Sequence, residues 1–300
     1  MIQLGQEADD YVVLGDNAEV LPTLPDKSFQ LIYIDPPFNT GKSQQRISLV
    51  TQRSEEGDRR GFGGHNYLTV ETGRTSYDDG FDDYLGFLRP RLEEAHRLLR
   101  DDGTLYFHID YREAHYCKVL LDEVFGRDCF LNEIIWAYDY GGRPKNRWPA
   151  KHDTILVYVK GPNQHYFDQA AVDRIPYMAP SLVTAEKAAR GKLPTDVWWH
   201  TIVPTNGTQK TGYPSQKPEG VLRRIVQASS APGAWILDYF AGSGTTGAVA
   251  RQLDRRFVLI DNSPDALAVM EMRLGSTRVT YLDANNGTGF PMSAEVIPAR

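Results

Sequence analysis

Three stretches of the sequence predict an α/β protein built on a doubly wound, mostly parallel sheet. The first lies near the C-terminal end. There the apolar run Trp235-Ile236-Leu237 closes on Asp238, and the glycine-rich turn Gly242 to Gly247 leads into a helical pattern. Apolar Phe257 to Ile260 then closes on Asp261, which completes a strand–loop–helix–strand–acid unit. Glycines at such a turn permit close backbone approach, and the helix N-terminus behind them favours negative charge. The second stretch is the apolar run Phe29 to Ile34, read as a buried strand, which passes into Asp35-Pro36-Pro37-Phe38. The third is the alternation of helical and strand patterns between residues 79 and 125.

Taken in order, Tyr11 to Gly15 reads as a short strand ending at Asp16, and Asn17 to Leu21 as a short helix. A Pro25-Asp26-Lys27-Ser28 turn precedes the Phe29 strand. Pro36 and Pro37 stop the ladder and stiffen its exit, since proline fixes φ and lacks a donor. Residues 43–83 are polar and poorly periodic and read as one long loop. Two readings stay open for it: a mobile clamp meeting phosphates through Arg46, Arg53, Arg59, Arg60 and Arg74, or a surface insertion. Asp79 to Leu99 reads as a helix with a break at Pro90, and Asp102-Gly103 turns it into the strand Thr104 to Ile109. His108 and Asp110 end that strand, His108 as a wall residue rather than a general base. Tyr111 to Phe125 is a helix stopped by Gly126.

The alternation fails from about Asn132 to Gly212. Trp136, Tyr138, Tyr140 and Trp148 are interleaved there with Arg143, Lys145, Arg147 and Lys151 around Gly141-Gly142, a pattern suited to DNA contact. A charged, solvated face would give the same pattern. His152 to Lys160 returns to the core as a strand, and Ser181 to Arg190 forms a short helix before Trp198-Trp199-His200. Ser215-Gln216-Lys217-Pro218 opens a helix that buries Leu222, Ile225 and Val226. Arg278 to Leu282 adds a strand, and residues 285–300 form a loose tail.

Composition narrows the function classes. With 41% hydrophobic and 24% charged residues, the chain is an ordinary globular protein with a sizeable core. No run is long and apolar enough for a membrane span, and the two cysteines argue against a disulfide framework or a cysteine zinc site. A cytoplasmic protein without metal is expected. A net charge of −6 requires any DNA-binding face to gather its Lys and Arg locally.

The glycine turn by itself would also suit a dinucleotide. Its late position in the chain argues against that, as does Asp238 just before it, where a pyrophosphate would be repelled and an ammonium welcomed. Asp261, about 20 residues after Gly242, suits a ribose hydroxyl pair. An ammonium, a carboxylate and a ribose together describe S-adenosylmethionine.

Asp35-Pro36-Pro37-Phe38 resembles the catalytic motif of DNA amino-methyltransferases, and Asp238-Tyr239-Phe240-Ala241-Gly242-Ser243-Gly244 resembles their cofactor motif. With the catalytic motif first, the order resembles the permuted (β-class) adenine-N6 and cytosine-N4 enzymes of bacterial restriction–modification and orphan systems. Gly15-Asp16-Asn17, Leu98 to Asp110 and Tyr213 to Pro218 match the same family patterns. The resemblance implies a circularly permuted class I S-adenosylmethionine-dependent methyltransferase fold. It divides the chain into a catalytic half (1–131), a target-recognition region (132–212), a cofactor half (213–284) and the tail. It further implies that Asp16 faces the cofactor's adenine amino group and that Lys217 neutralises its methionine carboxylate. Asp238, Phe240, Ala241, Gly242, Ser243, Gly244, Thr245, Asp261 and Asn262 line the rest of the cofactor site. Double-stranded DNA is the implied partner, with a homodimer and a cognate restriction enzyme compatible with the family.

The residue types suit the chemistry. An exocyclic amino nitrogen is a weak nucleophile because its lone pair is delocalised into the ring. Hydrogen bonds from its protons to the Asp35 carboxylate and the Pro36 carbonyl draw it toward sp³ geometry for in-line displacement. Phe38 then stacks on a base taken out of the helix. Phe38 stands where Tyr is common in the family, a change that keeps the ring and drops a phenolic hydrogen bond. Neither cysteine sits in a Pro-Cys context, which disfavours cytosine-C5 chemistry. Cytosine-N4 members of the resembling family more often carry Ser at the head of the motif, so the resemblance with Asp35 implies adenine-N6. An inactive DNA-binding module, or an enzyme acting on RNA or protein glutamine, are the alternatives, and assay on naked DNA separates them from the first reading.

Overall fold

The computed structural model describes residues 4, 9–41, 44–53, 59–60, 66–77, 80–204, 207 and 209–286. It divides into two units, Met1–Phe38 with Asp83–Arg300, and Asn39–Asp82. The large unit begins with β1 (Asp10–Leu14), α1 (Asn17–Val20) and β2 (Phe29–Ile34). The small unit holds β3 (Gln44–Arg53), β4 (Arg59–Arg60) and β5 (Asn66–Tyr77) as an antiparallel sheet in the order β3-β5-β4. This corrects the expected loop over 43–83. Ile47, Val50, Thr51, Tyr67, Thr69 and Val70 carry strand propensity that the polar composition concealed, and the hairpin pairs their backbone groups.

The large unit continues with α2 (Tyr84–Leu98), β6 (Leu99–Asp110), α3 (Ala114–Phe125), β7 (Phe130–Ala137) and β8 (His152–Val159). Then come α4 (Ala185–Arg190), β9 (Val197–Trp199), α5 (Glu219–Ser229) and β10 (Trp235–Asp238). The last elements are α6 (Thr245–Gln252), β11 (Arg256–Asp261), α7 (Pro264–Leu274) and β12 (Val279–Asp283). Of the expected tail at 285–300, residues 287–300 lie outside the described residues.

One nine-stranded sheet runs in the order β12-β1-β11-β10-β2-β6-β8-β7-β9. From β12 to β6 every pair is parallel, while β8 is antiparallel to both neighbours and β9 runs parallel to β7. This is the mostly parallel α/β sheet expected. All of β2 is buried, as a parallel strand covered on both faces must be. On one face Leu222, Ile225 and Val226 of α5, Val249 of α6 and Met270 of α7 join Tyr33, Tyr106, Ile236 and Leu259 in a single cluster. β10 lies beside β2, with Ile236 opposite Leu31 and Leu237 opposite Ile32. The two segments carrying the sequence motifs, some 200 residues apart, therefore leave the sheet as neighbours at one edge, where α/β sheets bind ligands.

Several boundaries differ from expectation for identifiable reasons. α2 starts after Asp83, whose carboxylate accepts from Gly86 N–H at 2.8 Å, and it runs through Pro90 without ending. Burial of Leu88, Leu92, Ala95 and Leu98 along one face outweighs the roughly 3 kcal/mol an interior proline costs. β6 begins five residues early because a register shift between Phe29 and Leu31 absorbs residues before Thr104. α3 starts at Ala114 rather than Tyr111. Trp136 and Trp198 belong to the core at 2% and 7% exposure, which removes them from any DNA-facing set, whereas Trp148 is 94% exposed. Among the described residues no helix is long and apolar enough to cross a membrane.

Candidate active site

Asp35 follows the last residue of β2, so a rigid, fully buried strand sets its position. Its Oδ2 lies 2.6 Å from Lys217 Nζ. Its Oδ1 is buried and has no hydrogen-bond partner among the described residues; His108 Nδ1, at 3.9 Å, is beyond hydrogen-bond reach. Buried acceptors are almost always paired, so an orphan at the head of the Pro-Pro corner marks a place for a donor. The Tyr84 hydroxyl donates to the Pro37 carbonyl at 2.5 Å and ties the corner to α2. Pro36 is buried, and the half-buried Phe38 ring lies 5.9 Å from the imidazole of His108.

His108 is a fully buried wall residue, as expected. Tyr33 Oη is 2.8 Å from its Nδ1 and Asp153 Oδ2 is 3.2 Å from its Nε2, while Trp136 meets the ring edge-on at 5.5 Å. The Tyr138 hydroxyl donates to Asp153 Oδ1 at 2.9 Å. Burial pushes the Asp153 carboxyl up, but His108, the Lys217 charge and Tyr138 together hold it below the usual range. Tyr138, expected to contact DNA, is instead part of this wall.

The second half of the site is the turn after β10. Gly242 and Gly244 take φ of +50° and +69°, a region side chains rarely enter. A Cβ on Gly244 would lie 2.8 Å from Met270 Cγ. Gly242 N–H donates to Asp261 Oδ2 at 2.8 Å and Ser263 N–H to Oδ1 at 2.9 Å, so the acid ending β11 braces the turn. Burial raises the Asp261 carboxyl, opposed by these backbone donors. Ala241, Ser243 and Thr245 are buried, and Asn262 is exposed. The half-buried Phe240 packs on Phe87 at 6.2 Å.

Asp238 is 2% exposed and accepts from Thr246 Oγ1 at 2.6 Å and Phe240 N–H at 3.1 Å. Burial, reinforced by the charges of Asp35 and Asp261, pushes its pKa up to about 7. Among the described residues these are its hydrogen-bond partners, and no lysine, arginine or histidine pairs with it. A buried carboxylate in that state fits an incoming ammonium. Asp16 caps α1 through Ala18 N–H at 2.9 Å and meets Arg91 at 3.1 Å, with half of its side chain exposed.

The structure brings together Asp35, Pro36, Pro37, Phe38, Lys217, Asp238 and the glycine turn. Lys217, expected at the cofactor carboxylate, forms an ion pair with Asp35. The four basic residues expected at DNA lie on the β7–β8 connection. That segment leaves the sheet where Ala137 pairs with His152 and Asp110 with Asp153, the edge from which Asp35 also emerges. Arg143, Lys145 and Arg147 are exposed there, Arg143 lying 3.6 Å from Asp139. Lys151 donates to the carbonyls of Tyr140 and Gly141 at 2.6 and 2.8 Å and so braces the loop.

Sequence reading missed Arg91, Arg273, and Tyr33 and Asp153 on either side of His108. Arg91 donates to Asn17 Oδ1 at 2.5 Å, and Asn17 donates to the Tyr239 carbonyl at 2.7 Å, which locks the β1 exit to the β10 exit. Arg273 donates to the Ser243 carbonyl at 3.2 Å and to Thr245 Oγ1 at 3.1 Å. Arg91 and Arg273 look like surface helix positions in sequence, and nothing local signals their partners. The Cys117 thiol is buried and pushed up to about 12, which makes it a core residue and not a nucleophile.

A permuted α/β sheet with an Asp-Pro-Pro-Phe corner beside a glycine turn and a buried acid defines an S-adenosylmethionine-dependent methyltransferase. A family model described as DNA methylase matches residues 29–272, and the chain belongs to this N6/N4 DNA methyltransferase family. The chain is 28% identical over 268 residues to the type II methyltransferase M.HpaI of Haemophilus parainfluenzae, covering 89% of this chain and 75% of that one. It is 29% identical over 280 residues to the DNA adenine methyltransferase YhdJ of Escherichia coli (strain K12), covering 91% and 84%. In fold it is similar to the M1.HpyAVI–SAM complex, with a TM-score of 0.55, 18% identity and 89% and 99% of the chains covered. It is likewise similar to the cytosine-N4-specific PvuII DNA methyltransferase, with a TM-score of 0.59, 16% identity and 93% and 96% covered. Bound S-adenosylmethionine supplies an electrophilic methyl group on sulfur.

Proposed function

We propose that the protein methylates the exocyclic N6 of adenine in double-stranded DNA, on a base flipped out of the helix. The observation that carries the reading is the buried Oδ1 of Asp35, unpartnered among the described residues, at the edge shared with the cofactor turn. An amino N–H is the donor such an acceptor lacks, and the half-buried Phe38 ring beside it offers a stacking face. Asp35 and the Pro36 carbonyl orient the amine. Asp238 receives the cofactor's ammonium, the Gly242–Thr245 turn its chain, Asp261 its ribose hydroxyls, and Asp16 and Asn262 flank its adenine. Arg143, Lys145 and Arg147 meet DNA phosphates. Cytosine-N4 is the second reading, since the same corner accepts either amino group and a cytosine-N4 enzyme shares the fold. Adenine is preferred because Asp heads the motif and a relative carries the name DNA adenine methyltransferase.

The test is transfer of labelled methyl from S-adenosylmethionine to unmethylated DNA, followed by digestion to nucleosides. Label in N6-methyldeoxyadenosine is expected, and Asp35→Ala abolishes it while cofactor binding persists. Label in N4-methyldeoxycytidine overturns the choice of base.

A further inference from the structure

We propose that Lys217 is a positioning residue for Asp35: its ammonium holds one carboxylate oxygen so that the other is presented to the target amino group. The inference rests on the proposed use of Asp35, but it concerns a residue whose expected partner was the cofactor.

The geometry divides the carboxylate. Oδ2 is bound at 2.6 Å by Nζ, with both side chains largely buried, at 11% and 16% exposure. A charge-assisted contact this short in a shielded place fixes orientation as well as charge. Oδ1 is left buried and without a hydrogen-bond partner among the described residues. The groups around it are already engaged elsewhere, since His108 Nδ1 faces Tyr33 Oη and His108 Nε2 faces Asp153. Asp238, the acid that ends β10, accepts from Thr246 and Phe240. Without Lys217 the carboxylate would be free to turn, and its buried charge would have no counter-ion.

Lys217 reaches Asp35 from a fixed base. Its carbonyl accepts from Thr245 Oγ1 at 3.3 Å, and Pro218 after it caps α5. Its ammonium also lies 4.9 Å from the Phe38 ring centroid. One side chain thus touches both groups proposed to meet the base, while its backbone is tied to the start of α6.

The test separates turnover from cofactor binding. With Lys217→Met, kcat falls about 100-fold while the calorimetric Kd for S-adenosylmethionine changes less than about threefold, and Lys217→Arg recovers most of kcat. Lys217→Gln replaces the Met variant if that one does not fold. A second readout needs no activity: Lys217→Met lowers the melting temperature, and adding Asp35→Asn restores part of the loss by removing the unpaired charge. Cofactor affinity weakened tenfold or more with kcat preserved, or a thermal cycle without coupling, overturns the proposal. A wild-type protein that methylates no DNA overturns the proposed function instead, and the thermal cycle still decides the role of Lys217.

Discussion

The proposed contact between Asp238 and the cofactor's ammonium predicts a calculable pH dependence of cofactor affinity. Its pKa is pushed up to about 7 by burial, so near neutrality it is half ionised. The cofactor's ammonium favours the carboxylate form, so binding tightens as Asp238 loses its proton. With a pKa of about 7, roughly 3% is ionised at pH 5.5 and roughly half at pH 7, which gives about a 15-fold tightening. The sign for stability is opposite. The folded pKa lies above the unfolded value, so the cofactor-free protein loses stability as pH rises from about 4 to about 7 and is flat beyond, by at most about 4 kcal/mol. Calorimetric titration with S-adenosylmethionine between pH 5.5 and 7, with Asp238→Asn alongside, measures the effect. A flat Kd in the wild type, or the same slope in Asp238→Asn, refutes the assignment of the ammonium to Asp238.

Gly244→Ala places a Cβ 2.8 Å from Met270 Cγ at φ +69°, so cofactor affinity drops by roughly tenfold and stability by about 1–2 kcal/mol, read by calorimetry and denaturant unfolding. His108→Phe removes the partner of Asp153 and Tyr33 inside a fully buried wall, and urea unfolding should show a loss of about 3 kcal/mol. Arg147→Ala leaves cofactor binding unchanged and lowers the salt slope of DNA binding by about one, measured by fluorescence anisotropy across salt concentrations. Arg91→Met severs the link from α2 to Asn17 and Asp16, and the melting temperature should fall by several degrees.

The sequence by itself determined the sheet class, the βαβ unit around Gly242 and the stiff Asp35-Pro36-Pro37 corner. Each of these depends on local rules: apolar runs make buried strands, glycine admits positive φ, and proline ends a ladder. It failed where a local pattern has two tertiary outcomes. Trp136 and Trp148 look alike in an aromatic–basic run, yet one packs on His108 and the other is fully exposed, because strand β7 pairs with β8 up to Ala137 and the chain leaves the sheet after it. The hairpin at 44–77 was concealed because its stability comes from cross-strand pairing and not from composition. The partner of Lys217 was decided only by the tertiary structure. Its distance to Asp35 depends on β2 and β10 being neighbours, and no spacing along the chain encodes that pairing of strands some 200 residues apart.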